Sequence, residues 1–234
     1  MATQNSWNNK ISDAKSQIVL NAGTNTINIG SDASANAVNV ATGAAAKVVT
    51  VGSTNGASSL ALKFGTSDFS LASASGTVIS ALDTGQVTMP LQPSFRAYLS
   101  STATDVTGNN TEVTVIFDTE DYDIGSNYNT GTGIFVAPVT GVYSFTAAVY
   151  LQGLLSTHTL LNLWPYAGAT TPVSIVCNPY AMSISGELQT LAPILIKLTA
   201  GDSVKITIKV TGGTKVVDFL GGSNYTYFSG HLVS

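Results

Sequence analysis

The chain carries little charge. Lys, Arg, Asp and Glu make up 9% of its 234 residues, whereas about a quarter is usual in soluble proteins. The formal net charge is −4, and the Lys and Arg residues are scattered. The absence of a basic stripe argues against nucleic-acid binding. Because 44% of the residues are hydrophobic, the composition favours a fibre or shell protein with a polar but uncharged surface.

Cysteine and long apolar runs are also scarce. The single cysteine, Cys177, excludes an intrachain disulfide framework. It follows the apolar pair Ile175 and Val176, which favours a buried, inert thiol over a reactive nucleophile. No run of 18 apolar residues predicts a membrane span. Residues 1–7 lack the pattern of a secretory signal peptide. We therefore expect either assembly inside the producing cell or a leader outside this sequence.

The sequence lacks the usual arrangements of catalytic residues. Its two histidines, His158 and His231, show no metal-ligand spacing. No nucleophile elbow, P-loop or complete dinucleotide fingerprint is present. The Gly131-Thr132-Gly133 segment lacks a third glycine, so we interpret it as a turn. We therefore predict no catalytic residue and no cofactor-binding residue, and expect the protein not to be an enzyme.

Composition divides the chain into three parts. All seven prolines and all nine tyrosines lie at or beyond residue 90. We predict an N-terminal leader or attachment segment at 1–20, a repetitive β stalk at 21–89 and a globular head at 90–234. In the leader, Trp7, Ile11, Ala14 and Ile18 have the spacing of a coiled-coil seam. A short helix and a flexible arm are the two interpretations of that segment.

The predicted stalk repeats every eleven residues. Each unit has two aliphatic residues separated by one residue, followed by turn-forming residues. The core-forming side chains predicted from this pattern are Ile27, Ile29, Val38, Val40, Val49 and Val51, and Leu60/Leu62 continues it. Two aliphatic residues in eleven are too few to compensate one chain for its lost conformational entropy. We therefore favour an interwound triple-β stalk, as in phage and viral fibres, over a flexible linker.

The head shows strand patterns separated by turns. Val204, Ile206, Ile208 and Val210 alternate with polar residues, which is typical of a strand with one buried face. Glycine- and asparagine-rich turns recur about every ten residues. Many short strands with such turns predict an all-β sandwich or jelly roll.

A series of residues in the head carries a family resemblance. The series consists of Phe117, Asp123, Tyr128, Phe135, Gly141, Tyr143 and Phe145. Its spacing closely resembles the signature of the C1q-like (C1q/tumour-necrosis-factor) head domain. Residues 95–98, 198–204 and 225–232 resemble its opening strand, a late turn and its closing strand. The resemblance implies a ten-stranded jelly-roll sandwich that assembles as a homotrimer.

The resemblance also assigns roles to individual residues. We expect large groups in the core or along the threefold axis at Phe117, Tyr128, Phe135, Tyr143, Phe145 and Phe228. Ala147 departs from the family, which usually has an aromatic residue there. The chain also lacks the collagen repeats that animal members often carry, so its β repeat would take the place of a collagen stalk.

An acidic cluster raises the question of calcium. Asp118, Asp121 and Asp123 are oxygen donors close in sequence, as calcium prefers, and some C1q-like heads bind the ion. The alternative is a signature residue, Asp123, beside solvated loop charges. Glu120 could provide a second carboxylate for a glycosidase pair, but the sequence identifies no cleft.

Three functional hypotheses follow. The first is a homotrimeric fibre of a phage, a virus or a cell surface, located on the virion or an extracellular appendage. Its head would recognise a surface glycan or protein receptor through loops, and its N-terminus would bind an anchor protein. The second is a purely structural fibre whose head registers and caps the trimer. The third is a glycan-degrading fibre enzyme. The sequence identifies neither the ligand nor the residues that bind it.

Overall fold

The computed structural model describes residues 69–168 and 174–234. The predicted leader and most of the predicted stalk lie outside these ranges. This applies to every stalk position named above, from Ile27 to Leu62, and to the leader seam. Among the described residues, no helix has the length and apolar character needed to cross a membrane.

The first described element is a three-stranded antiparallel sheet. It consists of β1 (Phe69–Ser73), β2 (Gly76–Ala81) and β3 (Val87–Thr88). Gly76 closes the first hairpin with a φ of +122°, which glycine adopts without steric cost. The described end of the predicted stalk thus forms antiparallel strand pairs within one chain.

The remaining strands form a two-sheet sandwich. In chain order they are β4 (Ser94–Tyr98), β5 (Ala103–Thr107), β6 (Glu112–Thr114), β7 (Thr119–Ile124), β8 (Tyr128–Asn129), β9 (Ile134–Val136), β10 (Gly141–Gln152), β11 (Leu160–Ala167), β12 (Ile175–Cys177), β13 (Leu188–Leu198), β14 (Ser203–Thr211), β15 (Val217–Phe219) and β16 (Tyr227–Leu232). The described sandwich therefore has thirteen strand segments. Five of them are only two or three residues long.

Both sheets have the crossed strand order of a jelly roll. The first sheet runs β5-β15-β10-β16-β4-β7, and β13 pairs with the free side of β10. The second runs β12-β11-β14-β9-β8, and β6 pairs with β14. The all-β jelly-roll prediction for the head is therefore confirmed. Pro193 lies within β13, which pairs with no second strand in the described ranges, as expected for a proline on an edge strand.

Aromatic rings fill the space between the two sheets. Phe95 is fully buried, and its ring centroid lies 4.9 Å from that of Tyr128 and 5.0 Å from that of Phe135. The ring of Phe228 meets Phe95 edge-on, also at 5.0 Å. Such offset and edge-to-face pairs add to the stabilisation from burial alone. The six head residues expected in the core or on the threefold axis all lie in this buried cluster.

Strand β14 lies at the centre of the second sheet, and its apolar residues form one buried face. Val204, Ile206, Ile208 and Val210 are completely buried. The intervening Thr207 is also buried, and its hydroxyl donates a hydrogen bond to the carbonyl oxygen of Trp164 at 3.3 Å. The polar positions of this strand are thus partly covered by long side chains of β11, and Lys209 lies over the Trp164 ring.

Candidate functional site

The two ends of the sandwich differ in what they carry. At the proximal end, the backbone of Leu232 bonds to Pro93, just after the three-stranded sheet. At the distal end, Leu151 of β10 pairs with both Leu188 and Phe219. The loops at this distal end include 153–159, 178–187, 212–216 and 220–226. Binding residues are commonly located on such loops, because a rigid sandwich holds them.

A groove opens between two of the distal loops. We call it the distal groove, and it is lined by Leu154, Leu155, Ser156, Thr157, Tyr180, Ser185 and Gly186. Its volume is about 540 Å³. None of the lining side chains is charged. Three hydroxyl-bearing residues and a Tyr180 side chain that is 43% exposed offer hydrogen bonds and an aromatic surface.

A buried histidine fixes the first wall of the groove. His158 is completely buried. Its Nδ1 accepts a hydrogen bond from the Leu155 amide at 2.9 Å, and its Nε2 lies 3.0 Å from the Thr214 carbonyl oxygen. A neutral imidazole with its proton on Nε2 satisfies both contacts. The ring therefore holds the turn 155–158 against the neighbouring loop, and its role is structural.

Glycine is required where this wall leaves the sheet. Gly153 has a φ of +73°, and a Cβ there would lie 2.4 Å from the Val216 carbonyl oxygen. The next amide, that of Leu154, donates to the Gly186 carbonyl oxygen at 3.0 Å. This bond ties the first wall directly to the second.

The second wall consists of a short helix and a tight hairpin. The helix α1 (Pro179–Met182) has Asn178 as its N-cap, whose side-chain oxygen accepts from the Ala181 amide at 3.1 Å. Ser183 closes the last turn on the Tyr180 carbonyl oxygen. Tyr180 is therefore held on a capped turn that fixes its backbone.

The hairpin carries a strained serine. Ile184 and Glu187 form a bridge with two backbone hydrogen bonds, of 2.9 and 3.1 Å. Between them, Ser185 has a φ of +56° and Gly186 a φ of +84°, as in a type I′ turn. Asn, Asp or Gly is the usual first residue of such a turn. Serine at this position keeps a small hydroxyl in the groove at a cost in backbone strain.

A polar network supports the groove from the sheet side. Glu187 accepts hydrogen bonds from the Tyr150 hydroxyl at 2.8 Å and the Gln152 amide at 3.1 Å. The bond to Glu187 raises the pKa of the exposed Tyr150 phenol. The Tyr225 ring packs edge-on against Tyr150, with centroids 5.6 Å apart. The network thus engages the Glu187 carboxylate, which follows the groove residue Gly186 in sequence.

The predicted calcium ligands have separate partners. Asp118 accepts from the Ser100 amide and hydroxyl at 2.7 and 2.9 Å. Asp121 forms an ion pair with Arg96, and Asp123 accepts from the Tyr128 amide at 2.8 Å. Within 69–168 and 174–234, no three potential metal-ligating side chains form a group. The structure therefore does not bring these carboxylates together.

Other residues singled out in the sequence occupy various places. His231 is exposed on β16 and pairs with Ser94 and Ser144, toward the proximal end of the sandwich. Cys177 is partly buried at the end of β12, and burial raises the pKa of its thiol. The sequence also has two leucine-rich segments, 151–155 and 160–164. Their composition favours core or trimer-interface strands over the alternative of an exposed binding patch. Leu155 and Leu160 are exposed, while Leu151, Leu154, Leu161 and Leu163 are buried.

Apart from the patch interpretation of segment 151–155, which includes Leu154 and Leu155, sequence reasoning named no residue of the distal groove as a binding residue. In the run Leu151–Leu155, nothing in the sequence distinguishes buried Leu154 from exposed Leu155. One signal was available. The Asn178-Pro179 pair is a typical helix start, with an N-cap followed by proline, and would have located Tyr180 on a rigid turn.

Comparison with known proteins identifies the family. A family model described as the C1q domain matches residues 95–233. Among solved structures, the globular domain of the zebrafish complement 1qA protein is similar, with 22% identity over 61% of this chain and 98% of that chain and a TM-score of 0.43. Murine APRIL, in a crystal structure at pH 8.5, is similar at 10% identity over 61% of this chain and 99% of that chain, with a TM-score of 0.44. The family match spans more than half of the sequence and includes the whole sandwich from β4 to β16, so the chain belongs to the C1q domain family.

Proposed function

We propose that the protein is a homotrimeric, non-catalytic fibre protein whose C1q-type head recognises a neutral surface glycan through the distal groove. The observation that carries this proposal is the groove itself: an uncharged, hydroxyl-lined cleft with an exposed tyrosine, held by two rigid walls. A sugar ring offers the matching chemistry, because it presents hydroxyl groups at its edge and an apolar face to an aromatic ring.

The outer face of the first sheet supports the trimer. Along β13, exposed residues alternate with buried ones. Leu191 and Leu195 are both on the exposed side, away from the core, and Leu195 is 70% exposed. Exposed leucines in a row on an uncovered sheet face mark an interaction surface. Domains of this family commonly trimerise, and two further copies of the chain would cover this face. Three copies would also present three grooves, so weak sites would act with avidity.

The fibre role rests on the position of the groove. The chain enters the sandwich from the predicted stalk at Pro93, at the proximal end. The groove lies at the opposite, distal end. A fibre places its recognition loops at the end away from its anchor. A virion or an appendage of a cell surface is the proposed location, with an anchor protein bound by the N-terminal segment.

A glycan array tests the recognition proposal. We expect the full-length protein to bind neutral glycans, and Tyr180→Ala to weaken binding at least tenfold, about 1.4 kcal/mol. The matched control is Tyr122→Ala, because Tyr122 is similarly exposed, at 48%, but lies on β7. Equal losses in the two variants would overturn the assignment of the groove.

The array and a hydrolysis assay also distinguish recognition from the two other functions, a structural fibre and a glycan-degrading enzyme. A trimer that binds no glycan would favour the structural role, in which the head registers and caps the fibre. If product sizing after incubation shows that a bound oligosaccharide has been shortened, the result would favour a glycan-degrading enzyme. The distal groove contains no pair of carboxylates among its described lining residues, which favours binding over hydrolysis.

A further inference from the structure

The three-stranded sheet at residues 69–88 has one apolar face. In its register, Phe69 lies opposite Ala81, Leu71 opposite Ile79, and Ala81 opposite Val87. Directly opposed residues share a face of an antiparallel pair. We call these five residues the apolar face of the sheet: Phe69, Leu71, Ile79, Ala81 and Val87. The other face carries Ser70, Ser80 and Thr88, and Val78 lies at the irregularity in the β1–β2 pairing, without a register partner.

This face is incompletely covered: Phe69, Ile79 and Ala81 are partly buried, whereas its other two residues are exposed. Leu71 is 51% exposed and Val87 is 64% exposed. No residue from 69 to 93 is buried. A two-faced sheet with no buried side chain has no core of its own, and three short strands need a packed face to be stable. The sheet therefore needs a partner surface.

Its neighbourhood extends the uncovered area. Beside the sheet, a groove of about 240 Å³ is lined mainly by apolar side chains, including Val78, Met89 and Val139. The side-chain amide of Gln92 donates to the Leu232 carbonyl oxygen at 2.6 Å, which ties this segment to the last strand of the sandwich. The sheet is thus attached to the proximal end of the head.

Low charge and the position next to the head favour further copies of this chain as the partner. Residues 69–93 contain one charged side chain, Asp83. Three identical copies of such a segment can approach one axis without like-charge repulsion at their contact. The C1q domain that follows immediately belongs to a family that commonly trimerises, so three sheets would be brought together at the proximal end of three heads. No partner of opposite charge is required.

We propose that the apolar faces of the three-stranded sheets from three copies of this chain pack against one another and form a collar between stalk and head. The collar lies outside the residues matched by the C1q family model, which begin at 95, so it adds a second trimer contact specific to this chain. The inference rests on the homotrimer proposed above, while the contact itself is separate from that of the head.

Photo-crosslinking of the full-length protein tests the collar. Benzoylphenylalanine is introduced at Val87 and, in a matched control, at Thr88 on the opposite face. The same substitution is made at a second pair, Leu71 and Ser70, so that the result does not depend on one position. The solution mass of every variant is measured before irradiation, and crosslinked peptides are mapped by mass spectrometry after mixing isotope-labelled and unlabelled chains.

We expect Val87 and Leu71 to crosslink to residues 69–88 of another copy, at least fivefold more than Thr88 and Ser70. A trimeric mass with crosslinks confined to one chain, with crosslinks to residues 1–68, or with no preference between the faces would overturn the collar and leave the homotrimer intact. A monomeric mass with an ordered sheet would overturn both.

Discussion

The core around Phe95 and the apolar face of the three-stranded sheet are built from the same kind of sequence. Both use apolar residues that alternate with polar ones along short antiparallel strands. In the sandwich, a second sheet covers those residues, and Phe95 has no exposed surface. In residues 69–88 no such cover exists among the described residues, and Val87 remains 64% exposed. The alternation of apolar and polar residues therefore specifies that one face of a strand pair will be buried. The topology of the fold decides whether the same chain supplies the surface that covers this face.

The comparison predicts its largest effect in the sandwich core. Phe95→Ala removes a ring that packs against Tyr128, Phe135 and Phe228. We expect the free energy of unfolding to fall by about 3–5 kcal/mol, measured by urea denaturation. Tyr122→Ala, on an exposed side chain, is the control and should change it by less than about 0.5 kcal/mol. Similar losses in both variants would contradict the described core.

The apolar face gives the second effect. Ile79→Asp places a charge on that face, and Ser80→Asp places the same charge on the opposite face. We expect Ile79→Asp to destabilise the sheet by about 2 kcal/mol and to remove hydrogen-exchange protection from residues 69–88, while the sandwich keeps its protection. Ser80→Asp should resemble the wild type. Equal effects of the two changes would show that neither face is covered in solution.

The third prediction concerns a tightly packed glycine, whose substitution should cost about as much stability as the charge on the apolar face. A Cβ on Gly230 would lie 2.2 Å from the Phe145 ring. Gly230→Ala should therefore overpack the core and cost about 1–3 kcal/mol. Gly131→Ala is the control, because its Cβ would meet only the Asn129 side-chain oxygen, at 3.3 Å. A Gly230→Ala protein that melts at the wild-type temperature would indicate a loosely packed sandwich.

The smallest effect concerns pH. Burial raises the pKa of the Tyr128 phenol above its usual value of 10.0, and its hydroxyl donates to the Phe117 carbonyl oxygen. Above pH 10 the unfolded chain would lose this proton while the folded chain keeps it, so stability should fall as the pH rises from 10. Urea midpoints between pH 9 and 11 should fall less steeply for Tyr128→Phe. Parallel profiles would show that Tyr128 does not contribute.

Much of the head could be predicted from the sequence because its signals are local. The alternation from Val204 to Val210 predicted β14, and the spacing from Phe117 to Phe145 led to the family and hence to the jelly roll. The hydrogen bonds of short strands such as β6 and β9 depend on β14, which is distant in sequence. No local pattern specifies these pairings, so the partners and register of the short strands could not be predicted.

The candidate site was less accessible to sequence reasoning. Tyr180 and Ser185 approach Leu155 because β10 and β13 pair over their whole length and bring two loops to one end. The carboxylates of Asp118 and Asp121 are close in sequence, yet each meets a partner from another segment, Ser100 and Arg96 respectively. Proximity along the chain suggested a metal site that the fold does not assemble.

The central claim is that three copies of this chain cover apolar surfaces that one copy leaves exposed. The most direct test is the mass of the full-length protein in solution, measured by light scattering at several concentrations together with hydrogen exchange of residues 69–88. Because one chain has a mass of 24.0 kDa, we expect three times that value, 72 kDa, with slow exchange in the three-stranded sheet. A species of 24.0 kDa with equally slow exchange there would contradict the account.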